Sequence, residues 1–309
     1  MAKYDILVVG ELNPDLILSD PELQPEFGQI EVLVESEELT IGASSAIFAC
    51  GAVKLGLSVA FIGVVGDDMF GRFMVSALED KGVDVSPVIV NPNLKTGLSV
   101  ILNRDTDRAI LTHLGAINAL KAEQVTNELI SQANHLHVAD YFLQTNLHPG
   151  ILDLFNRARR LGVSTSLDTN WDPTREWAGV VELLGSTNVF SPNEAEAEAL
   201  TGTSDLYQAA DILTKKVEVV TIKQGAAGAM AKHGDEVVQV SALPVEVVDT
   251  VGAGDSFDAG FVYGYLQGWS LKDSLQLGTA CGSLSTCAPG GVTAQPTLEE
   301  ALAAVRHNE

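Results

Sequence analysis

The residues best suited to chemistry lie in one short stretch, Asp249-Thr-Val-Gly-Ala-Gly-Asp-Ser-Phe-Asp-Ala-Gly-Phe261. Gly252, Ala253 and Gly254 are small enough for a backbone to approach a ligand and turn sharply. A helical pattern opens straight after them, Ser256 to Gln267. The first N–H groups of a helix lack internal partners and its dipole is positive there, so this end attracts anions, phosphates above all. Asp255 stands in the same turn. A carboxylate beside an anion hole is repelled by the ligand that the hole attracts. Accepting the proton of an attacking hydroxyl would give it a role there; capping the helix is the plainer alternative. No G-x-x-x-x-G-K-[ST] loop occurs in the chain, and Phe257 breaks a G-x-G-x-x-G reading.

The remaining polar candidates fall where strands should end. Ile6-Leu-Val-Val-Gly10 suits a buried parallel strand, and Glu11-Leu-Asn-Pro-Asp15 reads as the loop after it. Ligands of open parallel sheets bind at such carboxyl ends, so Asn13 and Asp15 are candidates to hold a polyol, or are simply turn formers around Pro14. Asp168-Thr-Asn170 closes another strand on the same face. Asn193-Glu-Ala-Glu196 opens a helix, as a capping box or as holders of magnesium-bound water and a phosphate. Thr221, Lys223, Gly225 and Gly228 follow a strand and either line a nucleotide pocket or form a hairpin turn; Thr250 and Thr279 are further expected nucleotide contacts. His135 and His137 share one face of a short strand near Asp140 without the ligand cluster a metal hydrolase needs. Pro289-Gly-Gly291 reads as a helix end.

The elements that must position these groups alternate. Strands are expected at Val59–Val64, His135–Ala139, Ser164–Leu167, Asn188–Phe190, Val217–Ile222, Ala229–Lys232 and Glu236–Val240. Helices are expected over Gly42–Gly56, up to Lys81, Lys121–Gln132, Pro149–Leu161, Glu194–Leu200, Leu206–Lys215, Leu271–Cys287 and from Leu298. That rhythm predicts an α/β fold, a mostly parallel sheet covered by helices on both faces. Alternating stretches interrupt it: Gln29–Thr40, acidic and expected as a half-exposed strand pair, then Thr96–Leu102 and Ala109–His113, these two joined by a turn over Asn103–Arg108. They predict a small β-sheet lid, inserted at about 13–41 and 95–114, on a single domain spanning 1–309.

Composition bounds the partners. The chain has 309 residues, 46% of them apolar, which is ample for a core. Lys and Arg number 18 against 41 Asp and Glu, a formal charge of −23 that repels nucleic acid and anionic membranes. Cys50, Cys281 and Cys287 are too scattered for a disulfide framework or a zinc site and suit a reducing compartment. The run Ile6–Val9 after Met1 is too short for a signal-peptide core or a membrane span, so a cytoplasmic protein is expected.

Asp-Thr-x-Gly-Ala-Gly-Asp-x-Phe resembles the C-terminal signature of the ribokinase-like (PfkB-type) carbohydrate kinases, and the resemblance runs through nearly the whole chain. Gly10–Asp15 resembles that family's first strand and sugar loop, Ile62–Gly71 the end of its N-terminal signature, and Asn193–Glu196 its N-x-x-E magnesium and phosphate motif. The resemblance implies transfer of the ATP γ-phosphate to a sugar or nucleoside hydroxyl, with Asp255 as base and the amides of 252–254 as anion hole. It implies magnesium near Glu196, a potassium-like cation near Asp249 and the Gly290 loop, and a homodimer through the lid. Gly42, with Asn13, Asp15, Asp168 and Asn170, would hold the sugar. Two departures from the pattern stand out. Ala43 and Ile47 replace the second glycine and the sugar-binding asparagine, and Asp172 stands where sugar-acid and fructose kinases carry an arginine. A carboxylated sugar would be repelled there unless Arg104 or Arg175 compensates. A kinase of a small monosaccharide is the leading expectation. The alternatives are a nucleoside kinase, with Ile47 and Phe48 facing a base, and a non-catalytic binding or regulatory protein.

Overall fold

The computed structural model describes residues 2–104 and 107–308; the tip of the expected Asn103–Arg108 turn, at 105 and 106, lies outside the described residues. The strands are β1 (Tyr4–Val9), β2 (Pro14–Ser19), β3 (Ser36–Ile41), β4 (Val59–Ile62), β5 (Val64–Gly66), β6 (Ile89–Asn91), β7 (Leu98–Arg104), β8 (Asp107–His113), β9 (Ala133–Val138), β10 (Ser164–Leu167), β11 (Val189–Phe190), β12 (Val219–Lys223), β13 (Ala229–His233) and β14 (Glu236–Val240). The helices are α1 (Ser44–Lys54), α2 (Met69–Asp80), α3 (Asn127–Ile130), α4 (His148–Arg160), α5 (Val180–Leu184), α6 (Glu194–Thr201), α7 (Leu206–Leu213), α8 (Ala253–Leu266), α9 (Leu271–Ser285) and α10 (Leu298–Asn308).

An eight-stranded sheet in the order β14-β13-β12-β11-β10-β9-β1-β4 forms the centre. From β12 to β4 its neighbours are parallel; β13 and β14 join antiparallel at one edge. The unbroken apolar run of β1 follows from burial on both faces. Leu7 and Val9 pack into one core with α4, α5 and α7, while Ile6 and Val8 enter the other with α1, α8, α9 and α10. Each such fully buried side chain stabilises by about 1.5–3 kcal/mol.

A separate four-stranded sheet, β3-β2-β7-β8, is built from the two interrupting segments. Its composition differs from the alternation in one respect. The Gln29–Thr40 stretch supplies only β3, whose antiparallel partner is β2. Strand β2 begins inside what reads as the Asn13–Asp15 loop, because Pro14 needs no ladder donor at the first strand position. The expected Lys121–Gln132 helix is also broken. A 3₁₀ turn at Ala122–Gln124 stops, and α3 restarts from Thr126, whose hydroxyl accepts from the Leu129 N–H at 3.2 Å. Among the described residues, no helix is long and apolar enough to cross a membrane.

Candidate active site

The carboxyl ends of β1, β9, β10, β11 and β12 converge on the amino end of α8. Gly252 is the N-cap of α8 with φ +70°, and a Cβ there would lie 2.7 Å from Gly291 Cα and 2.9 Å from Ile47 Cγ2. Only glycine fits that conformation and that space. The Ala253 N–H reaches the Thr250 carbonyl at 3.3 Å, while those of Gly252, Gly254 and Asp255 have no partner among the described residues. Such a set of orphan donors at a helix start is a ready anion site.

Asp255 sits in the first turn of α8, buried, with Ser44 beside its carboxylate. Burial pushes its carboxyl well above the usual range; Asp168 and Glu11 add to the push, and Lys223 and Ser44 oppose it. Asp168 and Asn170 come from the end of β10. Asn170, at φ +54°, donates its amide to Ser44 Oγ at 2.6 Å and its backbone N–H to Asp168 Oδ1 at 3.3 Å. Ser44 thus sits beside both Asn170 and Asp255.

Lys223 ends β12. Its Nζ donates to Asp168 Oδ2 at 2.6 Å and to Asp258 Oδ2 at 3.2 Å. Against the cost of burial, these aspartates hold the ammonium well above its ordinary range. Burial works to raise Asp168 too, but Lys223 wins and holds that carboxyl low. Asp258 has one oxygen buried without a partner, and burial pushes its carboxyl up, with Lys223 opposing. Removing one partner of such a buried pair costs on the order of 3–5 kcal/mol.

Two more acids close the site. Glu11 accepts from the Ser45 N–H at 3.0 Å and its hydroxyl at 2.7 Å, and burial pushes it up to about 7. Asp140, left-handed at φ +49°, is raised by burial and by Glu11, Asp255 and Asp168. Glu11, Ser44, Asp140 and Asp258 are not among the residues the sequence singled out as this site's. Asp258 alone has a pattern that could have found it, one helical turn beyond Asp255 on an otherwise apolar helix.

The sequence candidates divide. Asn13 is buried, its amide tied only by bonds of 3.4 Å to Pro14 O and Ser99 Oγ. Asp15 is raised to about 7 by burial, with Arg108 opposing and Asp249 adding. A Cβ on Gly42 would fall 2.2 Å from Asp15 Oδ1, so the missing side chain is what admits that carboxylate. Asn193 and Glu196 form a reciprocal capping box: Glu196 accepts from the Asn193 N–H at 2.9 Å and Nδ2 at 2.7 Å, and burial raises it to about 7. No cluster of three or more His, Cys, Asp or Glu side chains able to hold a metal occurs among the described residues. Asp249 ties its own loop, accepting from the N–H groups of Val251 and Gly290 at 3.0 Å each.

The expected nucleotide contacts scatter. Thr221 is fully buried and donates to Ser191 Oγ at 2.9 Å, which turns its hydroxyl away from any ligand. Gly228, at φ +103°, would put a Cβ 2.0 Å from Val240 O, so it serves the hairpin between β12 and β13, whereas Gly225 faces open space. Thr279 on α9 is buried with its hydroxyl unpartnered. Thr250 lines a cleft of about 550 Å³ with Ser19, Glu38, Asn103, Arg108 and Asp249, between the second sheet and the loop before α8.

The two departures from the family pattern also resolve. Ile47 is buried against Gly252 and Gly291, and Phe48 stacks on His137 at 3.6 Å, so neither faces a bound base. Asp172 is consumed by its own loop, accepting from the Thr174 N–H, the Thr174 hydroxyl and the Trp177 N–H. Arg175 is exposed, and Arg104 pairs with Asp107 at 3.5 Å.

Residues 3–298 match the model of the pfkB family carbohydrate kinases. A 2-dehydro-3-deoxygluconokinase of Bacillus subtilis (strain 168) is 33% identical over 289 residues, covering 89% of each chain. The structure of Arabidopsis thaliana ribokinase complexed with ribose and ATP superposes with a TM-score of 0.84, at 26% identity over 99% of both chains. An E. coli protein described as ribokinase II, in complex with ATP and Mg2+, gives a TM-score of 0.85 at 24% identity, over 98% of this chain and 99% of that one.

Proposed function

This chain belongs to the pfkB family of carbohydrate kinases, and from that premise we propose that it transfers the γ-phosphate of ATP to a hydroxyl of a small, uncharged monosaccharide in the cytoplasm. The observation that carries this reading is the Asp255 carboxylate beside the unpartnered amides at the start of α8. Asp255 accepts the proton of the attacking hydroxyl. The N–H groups around Gly252, Ala253 and Gly254 stabilise charge on the phosphoryl group in flight, which with positioning is most of what this reaction needs from a protein. Asp15, Asn13, Asp168 and Asn170 hydrogen-bond the acceptor. Magnesium, arriving with the nucleotide, would neutralise phosphate charge; Asn193 and Glu196 are the groups to hold its water shell, consistent with the ion's preference for few protein ligands. A potassium-like cation belongs in the same reading, beside Asp249 and the Gly290 loop. A homodimer through the second sheet, acting as lid, completes it.

An uncharged acceptor is favoured because Asp15, Asp140, Asp168 and Asp255 rim the site against two cations, Lys223, already held by two aspartates, and Arg108, which offsets Asp15 at the cleft. Asp172, bound into its loop, offers a carboxylated sugar nothing. The burial of Ile47 and Phe48 removes the feature that pointed to a nucleoside.

The test is ADP release from Mg-ATP over pentoses, hexoses, sugar acids and nucleosides. Turnover is expected with a neutral sugar. Asp255→Ala should lower kcat by roughly 10²–10⁴-fold, the usual worth of a general base, with ATP affinity nearly intact. Thermal stabilisation by ligands without any ADP release would instead mark a binding protein.

A further inference from the structure

Lys223 is the group in the site whose position the reaction above leaves unexplained. It ends a central strand, its side chain is only 14% exposed, and its ammonium is shared by two aspartates from different elements. A lysine that serves a nucleotide as a mobile counter-charge needs a free ammonium at the cleft. This one spends two of its three donors on Asp168 and Asp258, which fixes where the charge stands. It also lies directly behind the anion hole, with Nζ 3.4 Å from where a Gly254 Cβ would stand.

We propose that Lys223 is a positioning residue for phosphoryl transfer: clamped by Asp168 and Asp258, it is a fixed positive charge behind Gly254 that biases Asp255 toward its proton-accepting form. This rests on the kinase reading of the site. The groups facing Asp255 are Asp168 from the end of β10, Glu11 from the end of β1, Asp140 from the end of β9, Asp258 from its own helix, and Lys223 from β12. All but Lys223 are acids. Burial and Asp168 act to keep the proton on Asp255, and the Lys223 charge acts against them. Asp258, on the same helix as Asp255, is the second anchor of the ammonium, at 3.2 Å. An ammonium held by two aspartates also cannot leave to follow the departing phosphates, so the bias on Asp255 persists through the catalytic cycle.

The deciding variants are Lys223→Gln, which keeps hydrogen-bonding capacity and removes the charge, and Lys223→Arg, which keeps the charge. The acidic limb of the kcat/KM profile reports the base of the free enzyme. It should move up by about one pH unit or more in Lys223→Gln, the size of a single close charge. Lys223→Arg should bring it back, and the KM for ATP should change by less than about twofold. A limb that stays put while the KM for ATP rises would make Lys223 a nucleotide contact. A limb that stays put while only the melting temperature falls would make it structural. Either result overturns the proposal. Should Lys223→Gln not fold, Lys223→Met, which keeps the buried stem and removes the charge, carries the same expectations. Carboxyl-¹³C aspartate labelling of the ligand-free protein, with Asp255→Asn for assignment, reads the same shift without turnover. If no acceptor is phosphorylated the kinase reading fails, and this titration still decides the role of Lys223: an Asp255 signal that titrates identically in wild type and Lys223→Gln overturns it.

Discussion

Ala43 holds φ +65° and ψ 119° at the N-cap of α1, a conformation that glycine adopts freely and alanine does not. The neighbouring Ser44 accepts from Asn170 and stands beside Asp255, so the backbone turn that aims it is kept at the expense of strain. Strain of this kind costs on the order of 1–3 kcal/mol, and glycine gives back about 0.5–1 in chain entropy. Ala43→Gly should therefore stabilise the protein by about 1 kcal/mol, read as a higher midpoint in urea with an unchanged slope. A lower midpoint would mean that the turn is relaxed with alanine in place. The sequence alone marks Ala43 as a departure from a glycine pair and suggests a changed sugar contact; the turn geometry makes it a matter of backbone energy. Asp255 and its glycines were legible because they are contiguous and glycine leaves a local signature. The Lys223 trio was not, because its partners lie 55 and 35 positions away and meet only when the strands align.

At the scale of elements, the α/β rhythm was legible wherever a strand is buried on both faces, as in β1 and β9. It failed at β2, where Pro14 and Asp15 carry turn chemistry and only the pairing with β3 and β7 makes a strand. Strands β9 and β10 also hide a polar ladder. His135 bonds Ser164 and Ser166 at 2.7 Å each, and His137 bonds Ser166 at 2.7 Å. Burial lowers both imidazoles to about 3 from an ordinary 6.5. A histidine held neutral in the fold stabilises fully above pH 6.5. That contribution is lost as pH falls from 6.5 toward 3, because the unfolded chain takes up the proton first. Glu11, Asp15 and Glu196, raised to about 7, act with the opposite sign: their contribution is present at low pH and is lost as pH rises through 7. The histidine effect is therefore read as a difference between wild type and His137→Gln, in which the carboxylates cancel. The stability of wild type relative to the variant should fall by about 1.4 kcal/mol per pH unit once below pH 6.5. A flat difference between pH 7.5 and 5 would place His137 in a solvated setting.

At the scale of the molecule, the second sheet has two unlike faces. Ser19, Glu38, Asn103 and Arg108 face the cleft. On the opposite face the register aligns Leu39, Leu16, Val100 and Leu111 in one row across all four strands, with Leu18 beside Leu102 in the next. Leu39 and Leu111 are exposed at 36% and 61%, and every residue of β8 is open to solvent at the sheet edge. An apolar row on a sheet whose edge is unpaired invites a partner, and one such face packed on its own copy buries both. The chain carries a charge of −23, so the pairing has to be apolar at its centre, which this row supplies. The protein should sediment at twice its 32.7 kDa mass at micromolar concentration. Leu111→Glu places a charge against its symmetry mate's apolar row and should yield a folded monomer, with the KM for the acceptor raised more than that for ATP, because the second sheet contacts the sugar side of the cleft through Asp15. A wild-type chain that sediments as a monomer, or a Leu111→Glu variant that remains dimeric, would remove the second sheet as the interface while leaving the site chemistry untouched.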